Sequence, residues 1–179
     1  MDKRIGIIGA GVVGTAVGVV LKNKGYEITS VYDIKSESTQ QLVERIGCTA
    51  YPSPQDVSHS ADIIFITTSD TAIASVVGQI ADKRAFRPGQ FILHMSGAQS
   101  SEILDQAKEF GALVLSVHPL QAFASIDRAI EILPGSVFSI EGDEEAYALG
   151  VRIVEALEGE YFFIDRRAKP LYHAGACVV

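Results

Sequence analysis

Short apolar runs alternate with amphipathic stretches along nearly the whole chain. Strands are predicted at residues 4–8, 27–32, 48–51, 62–67, 90–94 and 113–117. Helices are predicted between them at 12–24, 38–46, 71–81 and 100–110, with a turn and a short helix in the Pro52-Ser-Pro-Gln-Asp56 stretch. Ile63-Ile-Phe-Ile66 has no polar face, as a strand covered on both sides requires. Gly25 suits the residue after a helix end, and Ser69 or Asp70 can cap the helix that follows them. Two further strand candidates, 136–140 and 161–164, flank a helix at 144–157 and either extend the sheet or cap it. Alternation of this kind predicts an α/β fold: a doubly wound, mostly parallel sheet of six to eight strands with helices on both faces.

The turn after the first strand carries the strongest local signal. Gly9-Ala-Gly-Val-Val-Gly14 fits G-x-G-x-x-G between a strand and a helix, and Asp33 follows nineteen residues after Gly14. Gly9 permits a sharp turn, Gly11 lets a pyrophosphate approach the backbone, and Gly14 lets the helix lie close to the sheet. A diphosphate would sit on the N–H groups of Ala10, Gly11, Val12 and Val13, where the helix dipole favours negative charge. Asp33 can accept from ribose hydroxyls and repel a 2′-phosphate, which favours NAD over NADP as cofactor; alternatively it opens the loop and pairs with Lys35.

Composition narrows the class. The length of 179 residues suits one domain, here 1–165, with 166–179 beginning a further helix at Pro170. A net charge of −7 speaks against a nucleic-acid face. Cys48 and Cys177 make no metal-ligand spacing and read as free thiols, so no metal is expected. With no leader-like start and no long apolar run, a cytoplasmic protein without membrane partners is expected.

Candidate chemistry lies at the carboxyl ends of the strands, where open α/β sheets bind ligands. Thr67, Thr68 and Ser69 can line a cofactor crevice or cap the next helix. Ser96 and Gly97, in Ser96-Gly-Ala-Gln-Ser-Ser101, can face a nicotinamide or simply form a loop. His118, held extended by Pro119, can supply or remove a proton or satisfy a strand-end backbone group. His94 reads as structural and His59 as solvated. Lys169 and His173, four residues apart, either project into the same crevice or form an exposed pair.

Gly9-Ala-Gly-Val-Val-Gly14, Ser96-Gly-Ala-Gln-Ser-Ser101, His118-Pro-Leu-Gln121 and Leu171-Tyr-His-Ala174 together resemble a bacterial group of Rossmann-like oxidoreductases of unassigned substrate. That group is related to pyrroline-5-carboxylate reductase, the deazaflavin-linked NADP oxidoreductases and 6-phosphogluconate dehydrogenase. His118-Pro119 is also similar to an element of prephenate dehydrogenases in which the histidine contacts the substrate hydroxyl. The resemblance implies hydride transfer between NAD(P) and a small carbonyl, imine or alcohol. It also implies a helical C-terminal domain, begun at 171–179, that forms a homodimer and closes the site. A non-catalytic NAD(P)-binding or sensing module is the alternative.

Overall fold

Alternate residues of the central strands feed two separate cores, which is why their sequences are apolar throughout. The computed structural model describes residues 3–176. Its strands are β1 (Ile5–Ile8), β2 (Ile28–Tyr32), β3 (Thr49–Ala50), β4 (Ile63–Ile66), β5 (Phe91–His94), β6 (Leu113–Pro119), β7 (Val137–Gly142) and β8 (Glu160–Phe163). Ile5, Ile7, Ile63, Phe65, Leu93 and Leu115 point to one core, and Ile8, Ile64, Ile66, Ile92 and Val114 to the other. Helices α1 (Val12–Asn23), α2 (Ser36–Ile46), α6 (Ile126–Ile132) and α7 (Tyr147–Ala156) supply the first core. Helices α3 (Pro54–Ser60), α4 (Asp70–Asp82) and α5 (Asp105–Lys108) supply the second.

Among the described residues the strands form one sheet in the order β3-β2-β1-β4-β5-β6-β7-β8. The chain runs outward from β1 to β3, returns to β4 beside β1, and then runs outward on the other side. The carboxyl ends of β1 and β4 therefore flank the point where the order reverses, the place where such sheets leave a crevice. Pairing is parallel from β3 to β6, β7 is antiparallel to β6, and β8 is parallel to β7. The two last strand candidates thus extend the sheet. Gly25 follows α1 with φ +84°, as a residue after a helix end does.

One helix lies outside the sequence expectations, and two local expectations need correction. Helix α6 was not anticipated: its seven residues bury one side chain, Ala129, so it carries almost no periodic signal, although Ser125 accepts from Arg128 N–H as an N-cap. The single helix expected at 100–110 is a 3-10 turn (Ser101–Leu104) leading into the four-residue α5. His59 lies on α3 rather than in a loop, though it is exposed as expected. After β8, a 3-10 turn (Arg166–Ala168) leads into α8 (Lys169–Ala176). Cys177 and the remainder of the predicted last helix lie outside the described residues. None of the described helices is long and apolar enough to cross a membrane.

Candidate functional site

The three glycines of the first turn are required for three different reasons. Gly9 has φ +103°, and a Cβ there would lie 2.6 Å from the backbone of Thr67 and Thr68. A Cβ on Gly14 would lie 2.0 Å from the Gly9 carbonyl oxygen and 2.4 Å from Thr67 Oγ1. A Cβ on Gly11 would meet nothing within 4 Å. Gly9 and Gly14 therefore make the turn close on itself, whereas Gly11 leaves room for something else.

That room is polar in the right sense. Gly11 is the N-cap of α1, no side chain caps the helix, and its first turn carries no acid. The first N–H groups of Val12 and Val13 are left to a ligand or solvent. A groove of about 410 Å³ runs past this helix end, lined by Gly9, Gly11, Asp33, Ile34, Thr68 and Ser69 among others. Ile34 is 89% exposed on its rim. A smaller cavity of about 110 Å³ continues past Val13, Thr68 and Met95 to Ser96.

Two side chains expected to serve a ligand also serve the turn. Asp33 accepts from Ala10 N–H and from Lys35 N–H, each at 2.8 Å. Its pairing with Lys35 is thus through the main chain, and each carboxylate oxygen keeps a lone pair for another donor. Thr67 donates its hydroxyl to the Gly9 carbonyl at 2.6 Å, so that proton is committed to the turn. Ser69 is the N-cap of α4 but makes no side-chain capping bond.

Beyond Ser96 the sheet edge and α8 bring together a second set of groups. A Cβ on Gly97 would lie 2.6 Å from His118 Nε2 and 2.5 Å from His173 Nδ1, so both rings press on that glycine. The His118 and His173 rings meet edge to face with centroids 5.9 Å apart. Lys169 is not exposed, so the reading of it as one of an exposed pair is corrected. It is fully buried, donates to Ser116 Oγ, and lies 3.7 Å from Glu141 Oε1. Glu141, also buried, accepts from Ser101 N–H at 2.8 Å and from Ser101 Oγ at 2.7 Å. Ser116 and Glu141 face each other in the antiparallel β6–β7 register. One carboxylate therefore ties the loop after β5 to α8 through the sheet edge.

Sequence reading did not single out Glu141, Ser101, Ser116 or Tyr172. Glu141 had a usable signal: an acid within an apolar strand of a sheet covered on both faces needs a cation or several donors. The other three are ordinary loop, strand and helix residues until the chain folds. Among the described residues no cluster of His, Cys, Asp and Glu is arranged to hold a metal ion.

His94 belongs to the architecture, as expected. Its Nδ1 accepts from Ser96 N–H at 3.1 Å, which leaves Nε2 to donate to the Ser100 carbonyl at 3.2 Å. Burial and the Lys169 charge lower its pKa from 6.5 to about 3. Burial, then Lys169 and His173, lowers that of His118 from 6.5 to about 4. Folded-state values below the unfolded value mean that the unfolded chain binds more protons in between. Stability is therefore expected to rise with pH from about 4 to 6.5, with a slope approaching about two protons. Urea denaturation across this window should show that rise, and His94→Gln should remove roughly half of it; a flat profile would contradict both assignments.

Two family models match separate stretches of the chain. A Rossmann-like domain profile matches residues 2–119, and a domain of unknown function, DUF2520, matches residues 136–179. A candidate NADP oxidoreductase from Bacteroides fragilis superposes with a TM-score of 0.85 at 22% identity, covering 99% of this chain and 66% of that one. An imine reductase from Streptomyces aurantiacus gives 0.79 at 18% identity, covering 98% and 61%. A prephenate dehydrogenase from A. aeolicus, in complex with hydroxyphenyl propionate and NAD+, gives 0.79 at 14%, covering 94% and 62%. The chain thus spans less than two thirds of the length of each structure. Its fold is the one these structures share. Comparison with curated proteins finds no match.

Proposed function

This chain belongs to the Rossmann-like domain family, and we propose that it binds a nicotinamide dinucleotide for hydride transfer to or from a small carbonyl, imine or alcohol. The observation that carries this reading is the open position at Gly11. It adjoins an uncapped helix end and a groove lined by Asp33 and Thr68, beyond which the smaller cavity reaches Ser96. The pyrophosphate would rest on the N–H groups of Val12 and Val13, with the adenosine between Ile34 and Thr68-Ser69. Asp33, with a charge and free lone pairs, would accept from the ribose and disfavour a 2′-phosphate, so NADH should bind more tightly than NADPH.

When bound, the nicotinamide supplies or takes the hydride. Ser96 and Gly97 would line that end, His118 would hold or polarise the reacting substituent, and His173 would form the adjoining wall. Lys169, being buried, would act through its charge rather than by touching substrate. Residues 1–165 would form the dinucleotide-binding domain and 166–179 the start of a helical dimerisation domain. The exposed apolar side chains Tyr161, Phe162, Phe163 and Leu171 support that arrangement, as a cytoplasmic homodimer would bury them.

Isothermal titration with NADH and NADPH tests the binding step, and cofactor oxidation with mixed small carbonyls and imines tests the chemistry. His118→Asn should leave NADH affinity intact and lower turnover by about 10²-fold or more, the range for loss of one preorganised hydrogen-bond donor at the reacting atom. Failure of the protein to bind either nucleotide would overturn the proposal. Binding without turnover, in a form that includes any following helical domain, would replace the enzyme with a sensing module.

A further inference from the structure

Tyr172 occupies a place that none of these roles explains. Its hydroxyl lies 2.9 Å from Nδ1 of His118, and the two rings meet edge to face with centroids 5.8 Å apart. On another side the phenol ring packs against Phe162 of β8, centroids 6.0 Å apart. Ser139, opposite His118 in the β6–β7 register, is a further partner of the phenol oxygen, and a serine O–H directed to that oxygen leaves the phenol proton for Nδ1. Meanwhile His118 Nε2, at the far end of the imidazole, presses on Gly97, the one residue type that admits it there. The two nitrogens of His118 therefore face different surroundings: Nδ1 meets a phenol, and Nε2 meets the wall of the candidate site.

Which nitrogen carries the proton follows from the partner of the other. A phenol O–H is a good donor, and a neutral imidazole nitrogen is a good acceptor. We propose that Tyr172 is a positioning residue that donates its O–H to His118 Nδ1, fixing the imidazole as the Nε2–H tautomer with that N–H turned to the Gly97 wall. In this state His118 offers a hydrogen-bond donor to the reacting site. A donor matches an acceptor atom on the substrate, so the resting site is set to polarise a carbonyl oxygen or an imine nitrogen rather than to take the proton of an alcohol O–H. No proton need leave the imidazole: the N–H polarises the acceptor, water supplies the proton that the reduced oxygen or nitrogen takes up, and Tyr172 keeps the ring from turning over. This use of the tautomer rests on the hydride-transfer reading; the tautomer itself does not.

Besides Tyr172 itself, the titratable groups that face His118 are Lys169 and His173 on α8 and His94 on β5, with Glu141 of β7 behind Lys169. All are left in place by Tyr172→Phe, so a change in that variant reports the hydroxyl. Two-bond proton–nitrogen correlation spectra of the 15N-labelled protein without cofactor read the tautomer, with the His118 signals identified by their loss in His118→Asn. The wild-type protein should show a protonated Nε2 and a hydrogen-bonded, unprotonated Nδ1. Tyr172→Phe should move Nδ1 downfield toward the position of a free ring nitrogen. It should also raise the His118 titration midpoint by on the order of one pH unit, because a bond to the neutral form has been lost. A wild-type spectrum with the proton on Nδ1 would overturn the proposal even if the variant failed to fold. So would a variant whose midpoint falls or stays put. Neither measurement needs a nucleotide or a substrate, so absence of NADH binding would sink the functional reading and leave this one standing.

Discussion

Gly11→Ala should leave the protein as stable as the wild type and weaken NADH binding by about tenfold or more, a loss of roughly 1.4 kcal/mol or greater. The Cβ of such an alanine meets no protein atom within 4 Å, and Gly11 has φ −74°, which any residue adopts. Its methyl group would instead project beside the uncapped end of α1, where the pyrophosphate has to approach. Gly14→Ala should behave in the opposite order. Its Cβ would fall 2.0 Å from a carbonyl oxygen that belongs to the turn, and backbone cannot swing aside as a side-chain tip can. Overpacking of this kind costs about 1–3 kcal/mol, and several degrees of melting temperature in a chain this long. Binding would then fail because the turn is misshapen. Melting curves and titrations of the two variants, side by side, separate the effects. Equal NADH affinity in Gly11→Ala and wild type would show that no nucleotide lies against that position.

Removing Glu141 should destabilise the protein more than any other single change at the sheet edge. Glu141→Gln leaves the Lys169 ammonium buried without its counter-charge, and breaking such a pair from one side costs about 3–5 kcal/mol. Ser101 also loses a charged acceptor for its N–H and hydroxyl. Combining Glu141→Gln with Lys169→Met should recover much of the loss, since the uncompensated charge goes with the lysine. Chemical denaturation of the single and double variants checks the order. If the double variant were no better than Glu141→Gln alone, the ion pair would not be the cause.

The same pair has a signature at high pH. Burial lowers the Lys169 pKa from 10.5 to about 8, against the opposing pull of Glu141. Between about 8 and 10.5 the unfolded chain retains a proton that the folded chain has given up, so this group makes stability rise with pH there. The relief should begin at lower pH in Glu141→Gln, where the ammonium has lost its counter-charge, and be absent in Lys169→Met.

How far the sequence could be read depended on whether a feature was local. The glycine turn was legible because its demands are carried by the backbone itself: a positive φ at Gly9 and a steric closure between Gly14 and Gly9, five residues apart. The apolar runs of β1 and β4 were legible because a strand covered on both faces must exclude polar residues along its whole length. Helix α6 was not legible, since a helix that buries one alanine leaves no periodic trace. The direction of β7 was equally hidden. Nothing in a short strand records whether its neighbour runs with it or against it.

The candidate catalytic edge shows the boundary most sharply. His118 stood out on chemical type and on an expected place after a strand, although it lies within β6, opposite Ser139, because the strand runs two residues further than its apolar pattern. Its working surroundings come from Tyr172 and His173, more than fifty residues later, and from a glycine on another loop. Lys169 read equally well as a surface lysine or as a crevice residue. Only the approach of α8 to the β6–β7 strand pair buries it against Ser116 and Glu141. Local stereochemistry and hydrophobic periodicity thus set the strand order's raw material and the nucleotide-type turn. Burial, charge and tautomer at the far end of the crevice were decided by distant segments meeting, because the energy of a charged or titratable group depends on what surrounds it in space.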